Sequence, residues 1–211
     1  MTPDVARAEG LTFRSLPDGL DTPALVLDLA RVDANITRLQ GEMDARGIAL
    51  RPHAKTHKSV AIARRQIAAG ARGITVATLG EAEVFVAAGI DDVFVAYPIW
   101  ADGPKAARLR ALHDRAPALR VGVDSALGAE RLAATVAGGG RALTVLVEVD
   151  PGNGRTGLVS AQAVLDVARA ADMAGLVVAG VFSHGGHGYR VGGAASAGED
   201  EVRALGAAAA A

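Results

Sequence analysis

The chain has 211 residues, half of them hydrophobic, yet only 3% are aromatic, so a single large core has to be built mainly from Ala, Val, Leu and Ile. The formal charge of −1 removes any electrostatic case for nucleic acid or an anionic membrane as partner. The absence of cysteine excludes disulfides and thiolate metal sites, and neither a signal-peptide pattern nor an apolar run of membrane-spanning length occurs, so the expectation is a cytoplasmic globular protein or a piece of one.

Residues 1–20 read as an N-terminal extension. A first strand is predicted over 24–28, then a helix capped by Asp28, with Leu29, Val32, Ile36, Leu39 and Met43 at helical spacing until Gly47. A second strand over 48–52 leads into Arg51-Pro52-His53-Ala54-Lys55-Thr56-His57-Lys58. The third strand, 74–78, runs into the capping box Thr78-Leu79-Gly80-Glu81, whose helix closes at Gly89. A fourth strand covers 93–97, and Pro104 suits the first turn of the next helix. The fifth strand, 119–124, is followed by a helix capped by Asp124 or Ser125; the sixth, 143–150, by one capped by Ser160. A seventh strand over 176–184 and a last helix over 199–211 complete the series.

This alternation predicts a parallel β/α architecture, either a closed barrel or an open doubly wound sheet, with strands apolar on both faces. Seven strands are one short of an eight-stranded barrel. His53, Lys55, Thr78, Tyr97, Asp124, Asp150, Arg155, His184 and His187 all fall at the C-terminal ends of strands, the face on which such folds build active sites.

Lys55 is the informative residue. A lysine at a strand end, partly desolvated and beside other cationic groups, loses its proton more readily than a free one and can attack a carbonyl. The same octapeptide also reads as a basic surface loop. His53 and His57 either tune the lysine or are structural, and Arg155 also reads as a turn arginine paired with Asp150. His184 and His187 are too few for a metal site by themselves. Tyr97 and Trp100 either wall a pocket or pack in the core.

Five stretches carry a family resemblance: Asp21-Thr22-Pro23-Ala24, the octapeptide, Ala77-Thr78-Leu79-Gly80-Glu81-Ala82-Glu83, the segment from Val147 to Gly157 (VEVDPGNGRTG), and Phe182-Ser183-His184-Gly185-Gly186-His187-Gly188-Tyr189. In this order the chain resembles the fold-type III pyridoxal-phosphate enzymes, the alanine racemase-like barrels, and among them the D-serine dehydratase and D-threonine aldolase group. The resemblance implies a (β/α)8-type TIM barrel over 21–211, incomplete at its C-terminus after about seven βα units, without the C-terminal β domain. It implies Lys55 as the Schiff-base and catalytic lysine, Arg155 near the cofactor's phenolic oxygen or the lysine, and His184 and Tyr189 near the cofactor ring or its pyridine nitrogen; His53 is read with them as a cofactor-binding residue behind the lysine. The implied activity is a lyase acting on a small D-β-hydroxy amino acid such as D-serine or D-threonine. The dehydratase side is modestly favoured by the His-Gly-Tyr that follows Gly186.

Full-length relatives of this kind are expected to form homodimers and to use a divalent metal, Zn or Mn, held by the C-terminal domain. No such ligand pair follows Tyr189 here, nor does a Gly/Ser/Thr-rich phosphate loop. The 211-residue chain alone is therefore expected to bind the cofactor weakly and to turn over little. Alternatives are a non-catalytic pyridoxal-phosphate carrier, an amino-acid racemase, and a metal-hydrolase barrel using His53, His57, His184 and His187. The last leaves Lys55 without a role.

Overall fold

Side-chain caps fix where each helix begins. In the computed structural model, which describes residues 19–211, α1 (Leu29–Asp44) starts where the Asp28 carboxylate accepts the Ala30 and Arg31 N–H groups at 3.0 and 3.2 Å. Ser59 caps α2 (Val60–Ala68), and Thr78 caps α3 (Leu79–Ala87) by accepting the Glu81 N–H at 3.2 Å. Glu81 folds its carboxylate back over the start of its own helix, where the Ala77 and Thr78 backbone N–H groups both favour its charged form. Its Oε2 accepts the Ala77 N–H at 2.7 Å and its Oε1 pairs with Lys58, which ties the octapeptide to α3. Asp102 caps α4 (Gly103–Arg115), with Pro104 in the first turn, and Ser125 and Ser160 cap α5 (Ala126–Val136) and α6 (Ala161–Met173). The last helix, α7 (Ala194–Ala209), begins ahead of the predicted 199–211, because Ala194 and Ala195 are good helix formers directly after Gly193. The N-terminal extension expected over 1–20 lies outside the described residues except for Gly19 and Leu20.

Five strands form one parallel sheet in sequential order: β1 (Ile74–Val76), β2 (Val93–Pro98), β3 (Arg120–Val123), β4 (Thr144–Val149) and β5 (Val177–Ser183). Val76, Val93, Val95, Val121, Val145 and Val147 point toward the helices and are fully buried. They pack on Ala63, Ala82, Leu109 and Leu132, the small residues letting helices approach the sheet closely. Each buried Val or Leu side chain stabilises the fold by roughly 1.5–3 kcal/mol.

Two of the seven predicted strands are not strands. Residues 24–28 run with Leu25 91% and Leu27 49% exposed and no ladder partner among the described residues, so apolar pattern alone does not make them a strand. Residues 48–52 lie beside β1, where the Thr75 N–H donates to the Pro52 carbonyl and the Ala54 N–H to the Thr75 carbonyl, both at 2.7 Å. Pairing shrinks to a single bridge between His53 and Thr75, because Pro52 has no N–H and no described strand lies on the other side.

Thr75, Phe94 and Glu148 are buried on the inner face, though two of these are polar, and β5 is the strand left partly exposed. The inner face carries Thr75, Phe94, Phe182 and Glu148 and opens toward β5, whose Val177 is half exposed. There Phe94 and Phe182 meet edge to face, centroids 5.0 Å apart at 89°. Gly122 lies against this pair; a Cβ would come 2.8 Å from Phe182 Cζ, so the ring needs a glycine beneath it. At the opposite end of the sheet, Asp92 accepts two hydrogen bonds from Arg51, at 2.7 and 3.1 Å, and pairs with Arg120. Burial pushes the Asp92 carboxyl up, but the two guanidinium groups outweigh it and hold it below the usual range.

Candidate active site

A cavity of about 250 Å³ lies on the inner face, and its wall includes His53, Lys55, Thr75, Phe94, Arg155, Phe182, Ser183 and His184. The chain delivers these groups from separate places. His53 and Lys55 come from the segment hydrogen-bonded to β1, Arg155 from the loop after β4, and His184 from the residue after β5. All lie at the C-terminal ends of the parallel strands, the site-bearing face. Four of the five predicted site residues thus share one cavity.

Both imidazoles in the cavity are held neutral. Burial, followed by the Lys55 charge, brings His53 down from 6.5 to about 4. Its Nδ1 accepts the Lys55 backbone N–H at 3.3 Å, which fits a ring unprotonated at that nitrogen. Burial also lowers His184, with the Arg155 and Lys55 charges adding to the effect. Neither ring therefore adds positive charge to the cavity near neutral pH.

Arg155 is exposed at the mouth, its guanidinium 5.5 Å from the centre of the Tyr97 ring. The alternative Arg155–Asp150 pair is not formed. The Asp150 carboxylate is occupied by the backbone of its own loop, accepting the N–H groups of Gly152 at 2.9 Å and Asn153 at 2.7 Å through Oδ1, and of Gly154 at 2.9 Å through Oδ2. That loop closure leaves Arg155 available to a ligand.

Tyr189 is not on the cavity wall. It ends the 3-10 turn Gly186–Tyr189, is 81% exposed, and leans on the His184 ring with centroids 5.9 Å apart. His57 also lies off the wall, its Nδ1 accepting the Ser59 N–H at 3.0 Å at the start of α2. His187 places Nε2 3.4 Å from the Asp200 carboxylate. Among the described residues no group of three or more His, Asp or Glu side chains could hold a metal ion, so the divalent metal implied by the resemblance has no ligand set here. Tyr97 and Trp100 line a neighbouring groove of about 280 Å³ beside Lys105, and the Arg131 guanidinium lies 4.3 Å over the Trp100 ring.

Phe94, Phe182, Thr75 and Glu148 were not singled out from the sequence. The signal was present in the two-residue period: in β2 and β4 they alternate with the valines that face the helices.

The description "Alanine racemase, N-terminal domain" fits residues 27–210, nearly the whole of the described chain. The chain belongs to the alanine racemase N-terminal domain family. Within it, the D-threo-3-hydroxyaspartate dehydratase of Delftia sp. (strain HT23) is 42% identical over 175 residues, covering 82% of this chain and 45% of that protein. The D-threonine aldolase of Arthrobacter sp. is 41% identical over 168 residues, 79% of this chain and 44% of the aldolase. The solved structure of the Delftia dehydratase superposes with a TM-score of 0.78 at 39% identity, over 91% of this chain and 52% of that one. The five-stranded sheet is thus part of an alanine racemase-like barrel, and the chain spans about half the length of the curated relatives it matches. No helix among the described residues is long and apolar enough to cross a membrane.

Proposed function

We propose that this chain is the cofactor-binding barrel portion of a pyridoxal-phosphate-dependent lyase that acts on D-β-hydroxy amino acids. One observation carries the reading: an amine, two guanidinium groups (Arg51, already paired with Asp92, and Arg155) and two neutral imidazoles, delivered by three separate segments, converge on one cavity walled by Phe94 and Phe182. This donor set fits the cofactor. A lysine can hold its aldehyde covalently, an arginine can face an anionic oxygen, and the phenyl rings can flank a flat pyridine. The relatives support the substrate class, since the dehydratase and the aldolase are both named for D-amino acids with a hydroxyl on the β carbon.

When bound, the cofactor supplies a conjugated ring that withdraws electrons from the substrate Cα. Lys55 Nζ anchors it and serves as the group that moves the Cα proton. Arg155 orients the cofactor through an anionic oxygen, and neutral His53 holds the Lys55 backbone without adding a competing charge. His184, neutral as well, lies on the cavity wall, where it would face the bound cofactor, and is buttressed by Tyr189. Removal of water from a β-hydroxy substrate is the reaction we favour over carbon–carbon cleavage. The protein is taken to work in the cytoplasm as a homodimer of the longer form.

Borohydride reduction of the chain with pyridoxal phosphate, followed by peptide mapping, tests the assignment. The sequence holds only three lysines, Lys55, Lys58 and Lys105, so the outcome is sharp. Label on Lys55, lost in Lys55→Ala, is the expected result. Label confined to Lys58 or Lys105, or none in the full-length protein, refutes it.

A further inference from the structure

Glu201, on α7, has no part in the roles assigned above. Side chains alternate along β5, so with Phe182 on the inner face Ser183 points into the helix layer, where α7 packs. There the Ser183 hydroxyl donates to Glu201 Oε1 at 2.7 Å. Directly after His184 the chain reverses: the Gly186 N–H donates to the His184 carbonyl at 2.8 Å, and Gly185, at the centre of the turn, has φ −74° and ψ 47°. This is close to an inverse γ-turn, a conformation open to L residues, so the backbone does not call for glycine at 185. The space around it does. A Cβ on Gly185 would stand 2.7 Å from both the carboxyl carbon and Oε2 of Glu201. The half-buried Glu201 carboxylate therefore fills the place of the missing side chain while it holds the Ser183 hydroxyl. On the other side of the same loop Asn153 fits against Gly186, where a Cβ would come 2.9 Å from its Oδ1.

We propose that Glu201 is the positioning residue of His184: from α7 its carboxylate grips the residues on either side, Ser183 by a hydrogen bond and Gly185 by contact, and so fixes where the imidazole stands on the cavity wall. Neither hold suffices by itself. The bond to Ser183 pins the end of the strand, and the contact at Gly185 pins the turn that carries the chain away from His184. With both in place the ring stays where Tyr189 meets it, centroids 5.9 Å apart. The grip depends on the shape and the acceptor oxygen of Glu201 rather than on its charge. The ligand that His184 meets rests on the cofactor reading above; the grip is a property of the ligand-free chain.

Ring-labelled histidine NMR on the ligand-free chain reads the grip, with the His184 signals assigned by their loss in His184→Asn. Glu201→Ala should shift them and weaken the nuclear Overhauser contact between the His184 and Tyr189 rings. Gly185→Ala, whose Cβ displaces the carboxylate, should do the same with Glu201 still present. Glu201→Gln should keep both native, because its amide oxygen still accepts the Ser183 hydroxyl. Leu205→Ala, which loosens α7 where it packs on the core one turn past Glu201, is the control and should leave the ring signals in place. Unmoved signals in Glu201→Ala or Gly185→Ala overturn the proposal, as does movement of the same size in Glu201→Gln or Leu205→Ala. Titration with pyridoxal phosphate, followed by the absorbance of the lysine-bound cofactor, should give a Kd about fivefold weaker in Glu201→Ala and Gly185→Ala, the worth of one ordinary hydrogen bond. A displaced ring with an unchanged Kd upholds the grip and takes His184 out of the cofactor reading. A displaced ring with no label on Lys55 in the full-length protein removes that reading and still upholds the grip. Label on Lys55 with an unresponsive ring does the reverse.

Discussion

His53→Asn separates the electrostatic role of His53 from its structural one. Asn keeps a side-chain oxygen that can accept the Lys55 N–H in place of Nδ1, but it does not titrate. The native ring has a folded value of about 4 against the ordinary 6.5. Because the folded value lies below the unfolded one, its contribution is fully present above pH 6.5 and is lost as the pH falls toward 4. At pH 5 that gap corresponds to about 2 kcal/mol if unscreened. Discounting for the solvent-open side of the ring leaves about 1 kcal/mol. His57, His113 and His184 are also lowered by burial, so both proteins soften in the same window and only their difference isolates His53. Urea unfolding of both at pH 7 and pH 5 is the assay. The difference in unfolding free energy should shift by about 1 kcal/mol toward the Asn variant on acidification. Parallel losses, with a constant difference, would refute the assignment of His53 as a ring kept neutral by its surroundings.

Three further outcomes follow from the packing. Asp92→Asn leaves Arg51 and Arg120 facing an amide, and since the three side chains are only 22–30% exposed, urea unfolding should show a loss of about 1–3 kcal/mol. Gly157→Ala combines a φ of +95° with a Cβ 2.8 Å from the Asp150 nitrogen and 2.9 Å from the Val149 carbonyl carbon. Backbone atoms cannot swing aside, so the loss should exceed about 2 kcal/mol, whereas Gly138→Ala, at φ +73° with open space around it, should cost only about 1. Leu109→Ala, at a fully buried position on α4, should cost about 2–5 kcal/mol; a loss below 1 would mean that α4 does not belong to the cooperative core.

The parallel alternation was legible because each element carries its own local signal. Asp28, Thr78, Ser125 and Ser160 each cap a helix where the sequence puts one, and the valine-rich runs from residue 74 onward all became strands. The run at 24–28 failed because a strand exists only through its neighbours, and apolar residues do not say whether a neighbour is there. Arg155 does lie after a strand, as the sequence places it, whereas Lys55 follows a segment that meets β1 at one bridge only and reaches the same cavity wall without a strand before it. The displacement of Tyr189 was not, because a glycine-rich turn sets where that ring goes and glycine leaves little pattern to read. Glu148 was hidden for another reason: one carboxylate among the four valines and leucines of β4 reads as a strand residue until the register sets it level with Phe182.

The strand order is sequential, so every pairing in the sheet joins neighbours along the chain. The cavity wall does something different, since it unites Lys55, beside the first strand, with His184, after the last. The sheet must therefore curl until its two margins face each other across the cavity. Any ligand that grips both margins acts as a hoop around the curl, and the margins cannot part without releasing it. Its binding free energy then counts against unfolding of the whole domain rather than of one loop, about 2.7 kcal/mol at a hundredfold excess over Kd. The small molecule then becomes a structural member as much as a reagent.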